Sequence, residues 1–361
     1  MVAATKIMKQ QAVPEASRDH AAPRYVAARG STSAGIWRHR ACLPLYPEIT
    51  LGEGSTPLLA LDRVAAQAGG GYVMGKLECL NPTGSFKDRG SALIAAAAVA
   101  AGAPGLAIAS TGNAGASMAA YAARAGLPLT VVAPKSIDPG KLWQITAHGA
   151  RIQLCDGDFS ECMNTYRALV AAGSYASGSD NDLRQVGTKT LAWELFEEAD
   201  GPIDRVIAPA GTGGLIVSLH MGFADIAATI PGFRMPAIDA VQLDALRPLD
   251  SYDAARLATR TAATGINIAN PSLREEVLAA VSATRGKIHS VPEEELLAAQ
   301  ELLATREGVG AEPTASVTTA AYIRARRSGE IGANERVVVI VTGHILKAPV
   351  QVVDRRSGPR A

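Results

Sequence analysis

The chain is poor in aromatic side chains, which make up 4% of its 361 residues, and neither charge is in excess. Its 35 basic and 34 acidic residues nearly cancel, so no broad polyanion-binding surface and no nucleic-acid partner are expected. Cysteine is scarce. Cys42, Cys79, Cys155 and Cys162 form no CxxC pair, and the last two are spaced outside the usual zinc-ligand intervals. The six histidines form no HExxH or other ligand cluster, so no metal site is expected. Long apolar runs are missing as well. The longest, 92–101, is mostly alanine and about half of what a membrane span requires. The opening stretch MVAATKIMKQQAVPEASRDHAA has no apolar centre between its charges, which argues against a secretory signal. A soluble, cytoplasmic protein is the expectation.

What the chain does have is glycine, proline and a rhythm. The 35 glycines and 20 prolines show no collagen-like period, and the length suggests two domains. Residues 1–35 read as a flexible extension. From about residue 50, short β-branched runs alternate with alanine-rich helical patterns. Strands are expected at 72–77, 106–109, 129–133, 151–155, 205–208, 237–243 and 337–341. Helices are expected at 88–101, 114–125, 140–148, 159–172, 187–198, 293–307 and 316–328. This alternation marks an α/β protein with open, mostly parallel sheets and helices on both faces. Such sheets bind ligands at the carboxyl ends of their strands. The segment 244–290 shows no clear pattern.

Four loops carry the chemistry. In Asn81-Pro-Thr-Gly-Ser-Phe-Lys-Asp-Arg-Gly90, two turn signals lead straight into a helix, with Lys87 in its first turn. A cation there opposes the helix dipole, so structural convenience does not explain it. A lysine that is partly neutral, or bound as an imine, suits the place; a plain surface lysine is the alternative. The loop Ser110-Thr-Gly-Asn-Ala-Gly-Ala-Ser117 follows a strand and opens a helix, where free N–H groups could hold a carboxylate or phosphate. An ordinary strand-to-helix turn reads equally well. Ala210-Gly-Thr-Gly-Gly214 precedes an apolar helix and suits a phosphate. It is not a dinucleotide fingerprint, because Ile216 stands where the last glycine belongs. The near-match to a nucleotide loop at Gly70–Lys76 lacks its Ser or Thr and reads as strand. Finally, Thr342-Gly343-His344 closes the most apolar strand and offers a hydroxyl to a ring nitrogen. An imine-forming lysine, two anion cups and that hydroxyl together make the inventory that pyridoxal 5'-phosphate needs. A hydroxyl partner would leave the ring nitrogen largely unprotonated, favouring elimination and replacement over transamination.

At these residues the sequence resembles the threonine synthases, within the tryptophan-synthase-β-like, fold type II group of pyridoxal-phosphate enzymes. The stretches that carry the resemblance are LGEGSTPLL (51–59), KLECLNPTGSFKDRG (76–90), STGNAGASMAAYAARAGL (110–127), Gly140-Lys141, RQVGTKTLAWEL (184–195), GINIANP (265–271), EGVGAEPTAS (307–316) and VTGHILK (341–347). The resemblance implies a two-lobe fold: a large cofactor-binding domain from 36–83 and 187–355, and a small mobile domain from 84–186. It implies Lys87 as the Schiff-base lysine and Phe86 as the aromatic beside the cofactor. Asn113 is the partner of the 3'-oxygen, Gly211, Thr212, Gly213 and Gly214 form the phosphate cup, and Thr342 is the partner of the ring nitrogen. Ser110, Thr111 and Gly112 are implied to hold the substrate carboxylate. Ser85, Ser179, Arg184 and Lys141 are implied to hold the substrate's phosphate. A homodimer is implied by the resemblance alone.

The implied reaction converts O-phospho-L-homoserine and water to L-threonine and phosphate, acting on a small anionic amino acid. Three departures bear on the substrate. Gly178 and Asp182 stand in the family's phosphate segment where donors are usual, Thr212 alters the cofactor cup, and Ile345 replaces a second glycine in the closing loop. They leave open replacement or elimination on an O-activated serine, serine or threonine deamination, and a non-catalytic protein retaining the fold.

Overall fold

A computed structural model describes residues 35–110, 112–135, 139–156, 159–178, 181–251 and 261–347. Ten strands are described: β1 (Leu58–Ala60), β2 (Tyr72–Lys76), β3 (Leu106–Ala109), β4 (Leu129–Pro134), β5 (Arg151–Cys155), β6 (Tyr175–Ala176), β7 (Arg205–Pro209), β8 (Ala237–Leu243), β9 (Ile288–Val291) and β10 (Arg336–Ile340). They form a six-stranded sheet in the order β1-β2-β10-β7-β8-β9 and a four-stranded sheet in the order β5-β4-β3-β6. Only the edge pair β1–β2 is antiparallel; the other pairings are parallel. β10 lies between β2 and β7 although long stretches of sequence separate the three. The chain therefore leaves the large sheet after β2, builds the whole of the small one, and returns at β7.

Central parallel strands are covered on both faces, so they read as continuous apolar runs. β10 is Arg-Val-Val-Val-Ile, and Val337 to Val341 are fully buried. Edge strands lack this signature. β1, β6 and β9 are short or half-exposed, and the sequence does not announce them. The helix Arg274–Ala283 lies within the stretch that shows no clear sequence pattern. The helix expected at 187–198 is two: Leu183–Thr188 and Thr190–Glu198. Thr188 and Thr190 donate their hydroxyls to the carbonyls of Arg184 and Gly187, competing with the backbone ladder at the joint. The expected 293–307 helix ends its α geometry at Leu302 and finishes in a π turn.

The helix Lys87–Ala100 is the hinge piece of the architecture. Residues 88–98 are all buried, and alanine dominates because neighbours approach closely. Its second residue after Lys87, Arg89, is fully buried and forks onto two carboxylates. Nε and Nη2 meet Glu78 at 2.8 and 2.7 Å, while Nη1 and Nη2 meet Glu194 at 2.8 and 2.7 Å. Lys76 adds contacts to Glu194 at 3.0 Å and Glu198 at 2.6 Å. Burial alone would raise the Glu194 carboxyl, but Arg89 and Lys76 hold it well below the usual range. Among the described residues no helix is long and apolar enough to cross a membrane.

Candidate active site

The site forms where β10 and β7, adjacent strands, deliver their loops to the same end of the large sheet. The chain leaving β10 is stitched to the turn before Lys87. Phe86 N–H donates to the Thr342 carbonyl at 3.1 Å, His344 N–H to the Gly84 carbonyl at 3.0 Å, and Ser85 pairs with Gly343. Gly84 has φ +82°, and a side chain there would press on His344 and Lys347. The opposite flank is tied by Asp88. Its carboxylate accepts Thr83 N–H at 2.7 Å and the Thr83 hydroxyl at 2.6 Å. Asp88 is thus the first-turn acid that the helix dipole favours, directly beside the lysine that the dipole does not favour.

Lys87 is half-buried, with Nζ 4.1 Å from the centroid of the Phe86 ring. Loss of hydration in the cleft, reinforced by the Arg184 charge and opposed by Glu312, pushes its amine down to about 7. A substantial fraction is then unprotonated near neutrality, and the unprotonated amine is the form that attacks an aldehyde.

Thr342 and Ser85 are buried, and the structure gives their hydroxyl oxygens no hydrogen-bond partner. Buried hydroxyls ordinarily have one. A pyridine nitrogen is an acceptor of the kind that an orphaned threonine hydroxyl lacks. After β7, the loop Gly211–Gly214 is pinned from outside. A Cβ on Gly211 would stand 2.7 Å from the Gly265 carbonyl oxygen, and Leu273 N–H donates to the Thr212 carbonyl at 3.0 Å. Gly213 has φ +101° and opens the helix Gly214–Thr229, whose first N–H groups have no partner within the helix. An aldehyde-capturing amine, an orphaned hydroxyl and a glycine cradle at a helix start fit pyridoxal phosphate. Lys87 would hold its aldehyde carbon, Thr342 its ring nitrogen and Gly211–Gly214 its phosphate.

Asn113 opens the helix Asn113–Ala125, and its Nδ2 donates to Glu312 Oε1 and Oε2 at 2.9 and 3.2 Å. The Ser110 hydroxyl accepts N–H bonds from Gly112 at 3.3 Å and Gly115 at 3.0 Å, so it ties the loop to the helix start. Gly112 lies exposed in that loop. Thr111 and Ser179 lie outside the described residues. Lys141 is in the first turn of the helix Pro139–Ala147. One turn on, Gln144 donates to the Thr83 carbonyl at 3.1 Å and accepts from Lys347 Nζ at 2.5 Å. Arg184 is buried, and its charge reaches Lys87. Its N–H groups also serve the backbone: Nη2 meets the Ser177 carbonyl at 2.5 Å and Nε the Gly178 carbonyl at 3.4 Å.

Sequence reasoning missed Glu312, Gln144 and Lys347 as members of this cluster. Glu312 sits before Pro313, an acid-proline pair that reads as the start of a helix, and its partner Asn113 is 199 positions away.

Residues 49–343 match the family described as pyridoxal-phosphate dependent enzyme. The chain is 35% identical over 330 residues to the threonine synthase of Methanosarcina acetivorans, covering 88% of this chain and 82% of that protein. It is 37% identical over 308 residues to the threonine synthase of Mycobacterium leprae, covering 84% and 85%. Among solved structures, maize serine racemase superposes with a TM-score of 0.71 at 21% identity, covering 84% of this chain and 92% of that one. A bacterial threonine deaminase, from T.th., gives 0.66 at 28% identity, covering 80% and 92%. The α/β architecture expected from the sequence, with its fold type II arrangement, is the one these proteins share.

Proposed function

The chain belongs to the family of pyridoxal-phosphate dependent enzymes, and we propose that it is a threonine-forming lyase of that family, converting O-phospho-L-homoserine and water to L-threonine and phosphate. The observation that carries this reading is the convergence of Lys87, Asn113 and Thr342 on one cleft, in a chain 34–37% identical to several threonine synthases.

Pyridoxal phosphate, when bound, supplies an aldehyde for amines and a ring that accepts electrons from the substrate's α carbon. Lys87 holds the aldehyde carbon in the resting enzyme. Displaced by the substrate amine, its ammonium-to-amine balance near pH 7 lets it take the α proton and return protons later. It is also the base for the β carbon, after which phosphate leaves from the γ carbon and water adds at the β carbon. Thr342 gives its hydroxyl proton to the ring nitrogen, which keeps that nitrogen uncharged. Asn113 donates to the 3'-oxygen, Phe86 lines the ring, and Gly211, Thr212, Gly213 and Gly214 hold the cofactor phosphate by their N–H groups. Ser110, Thr111 and Gly112 hold the substrate carboxylate. Ser85, Lys141, Ser179 and Arg184 hold the phosphate that departs. Closure of the 84–186 lobe over the site excludes water until it is needed.

Arg184 favours keeping a second reading. Its guanidinium is shared with the carbonyls of Ser177 and Gly178, so a substrate phosphate must compete for it. A shorter substrate, an O-activated serine undergoing β replacement or elimination, makes no such demand. Protein reconstituted with pyridoxal phosphate decides. Phosphate release from O-phosphohomoserine, in step with threonine, is the expected result. No release, with turnover of phosphoserine or acylserine, selects the second reading.

A further inference from the structure

Glu312 is a buried carboxylate with a place built for it. A Cβ on Gly343 would stand 2.2 Å from its Oε1 and 2.4 Å from its Cδ, so only glycine admits the carboxylate against that backbone. Glu312 N–H is strapped to the Gly343 carbonyl at 2.8 Å, and Ala311 pairs with His344. The glutamate is therefore fixed to the strand exit that carries Thr342. It occupies the position before the helix Pro313–Arg327, yet its side chain makes no cap bond to that helix. It reaches across to Asn113 instead. Burying a carboxylate is costly unless something compensates it, so helix capping does not account for this one.

The two oxygens of one carboxylate lie too close together to take both hydrogens of one amide nitrogen. One Asn113 N–H is shared between them, and the other is directed away from Glu312. We propose that Glu312 is a positioning residue for the cofactor site: it holds Asn113 by one N–H so that the other is aimed, and it is the counter-charge to the protonated form of the lysine-bound cofactor. The proposal rests on reading Lys87 and Asn113 as cofactor residues.

The charges around Lys87 come from three directions. Arg184, on the helix Leu183–Thr188, disfavours a proton there, and Glu312 favours one. Asp88, next in sequence, is engaged with Thr83. Lys347 faces both Asp88 and Glu312, with its own amine lowered first by burial. Glu312 is thus the acid acting on Lys87 from outside its own helix.

The test is spectroscopic and needs no turnover. In the loaded protein, the pH at which the visible band of the lysine-bound cofactor is lost is measured for wild type and Glu312→Gln. Glutamine still accepts the Asn113 N–H but carries no charge. The midpoint is expected to fall by about one pH unit, the effect of losing one nearby opposite charge. In cofactor-free protein, the midpoint for reductive methylation of Lys87, read by peptide mass spectrometry, moves the same way. Midpoints that stay in place in both forms overturn the counter-charge. For positioning, Glu312→Ala is expected to weaken cofactor binding about tenfold, and to weaken it no further in an Asn113→Ala background. Additive losses overturn the link through Asn113. Should the alanine variant not fold, Glu312→Asp replaces it in the same cycle with the same two outcomes. Failure of O-phosphohomoserine turnover would count against the proposed reaction and leave these readouts interpretable.

Discussion

Gly90 and Gly187 face each other where two helix backbones touch. A Cβ on Gly187 would lie 2.4 Å from the carbonyl oxygen of Arg89, and one on Gly90 would lie 2.7 Å from the carbonyl oxygen of Arg184. The contact brings the helix of Lys87 against the helix of Arg184, and so puts a positive charge within reach of the Lys87 amine.

Alanine at position 187 gains about 1 kcal/mol of helix propensity. It also drives a methyl into backbone, and overpacking typically costs about 1–3 kcal/mol. Backbone cannot rotate away, so the contact wins. Gly187→Ala is expected to lower unfolding stability by about 2 kcal/mol, measured by urea denaturation. Gly112→Ala has nothing within 4 Å of the new methyl and should stay within about 0.5 kcal/mol of wild type. Equal effects from both would show that the helix crossing is not tight.

The Arg89 fork ties β2, the Lys87 helix and the Thr190–Glu198 helix into one buried knot. Removing one member leaves the others uncompensated, which costs about 3–5 kcal/mol for a buried pair. Arg89→Leu is therefore expected to unfold readily. Glu194→Gln gives the pH signature. The carboxyl of Glu194 lies below its ordinary value of 4.5 in the folded protein, so its contribution is complete above that pH and is lost as pH falls toward the folded value. Acid unfolding of wild type should lose this part progressively below about pH 4.5, and Glu194→Gln should be less stable near neutrality but show a shallower acid slope. An unchanged slope would mean that Glu194 titrates normally.

The parts legible in the sequence are those where local chemistry and global structure agree. β7, β8 and β10 are apolar runs because both their faces are covered. Lys87 stood out because it sits badly in its helix, and the Gly211–Gly214 loop because glycine is needed where Gly265 approaches. β1 and β6 were not legible, since strands of two or three half-exposed residues carry no period. Glu312 was hidden by its neighbour Pro313, and Arg184 promised a free guanidinium while the turn at Ser177 and Gly178 also uses it. Contacts of that kind depend on which distant carbonyl arrives, which residue type alone does not specify.

Lys87→Ala should bind pyridoxal phosphate without forming the visible band and should lose turnover, with the fold retained by circular dichroism. Stability carries an independent signature. The Lys87 amine is lowered from 10.5 to about 7 in the cofactor-free fold, so between these values the unfolded chain holds a proton that the folded one does not. Stability of the cofactor-free protein then rises with pH across that window. Partial solvent access reduces the gain to on the order of 2 kcal/mol. Lys87→Met should flatten the rise in a denaturant titration repeated across pH. A variant with the wild-type slope would show that the amine is not perturbed.

Thr342 separates fold from function most sharply. Its hydroxyl is buried at the exit of β10 and has no hydrogen-bond partner in the protein. An unsatisfied buried hydroxyl is a liability of about 1 kcal/mol, and valine fills the same shape without it. Thr342→Val is therefore expected to make the cofactor-free protein about 1 kcal/mol more stable while weakening pyridoxal phosphate binding about tenfold. Thermal unfolding without cofactor reads the first effect, and absorbance titration with cofactor reads the second. Thr342→Ser restores the hydroxyl and should recover most of the affinity. If valine instead destabilised the cofactor-free protein and bound the cofactor as tightly as wild type, the hydroxyl would belong to the fold and not to the ring nitrogen.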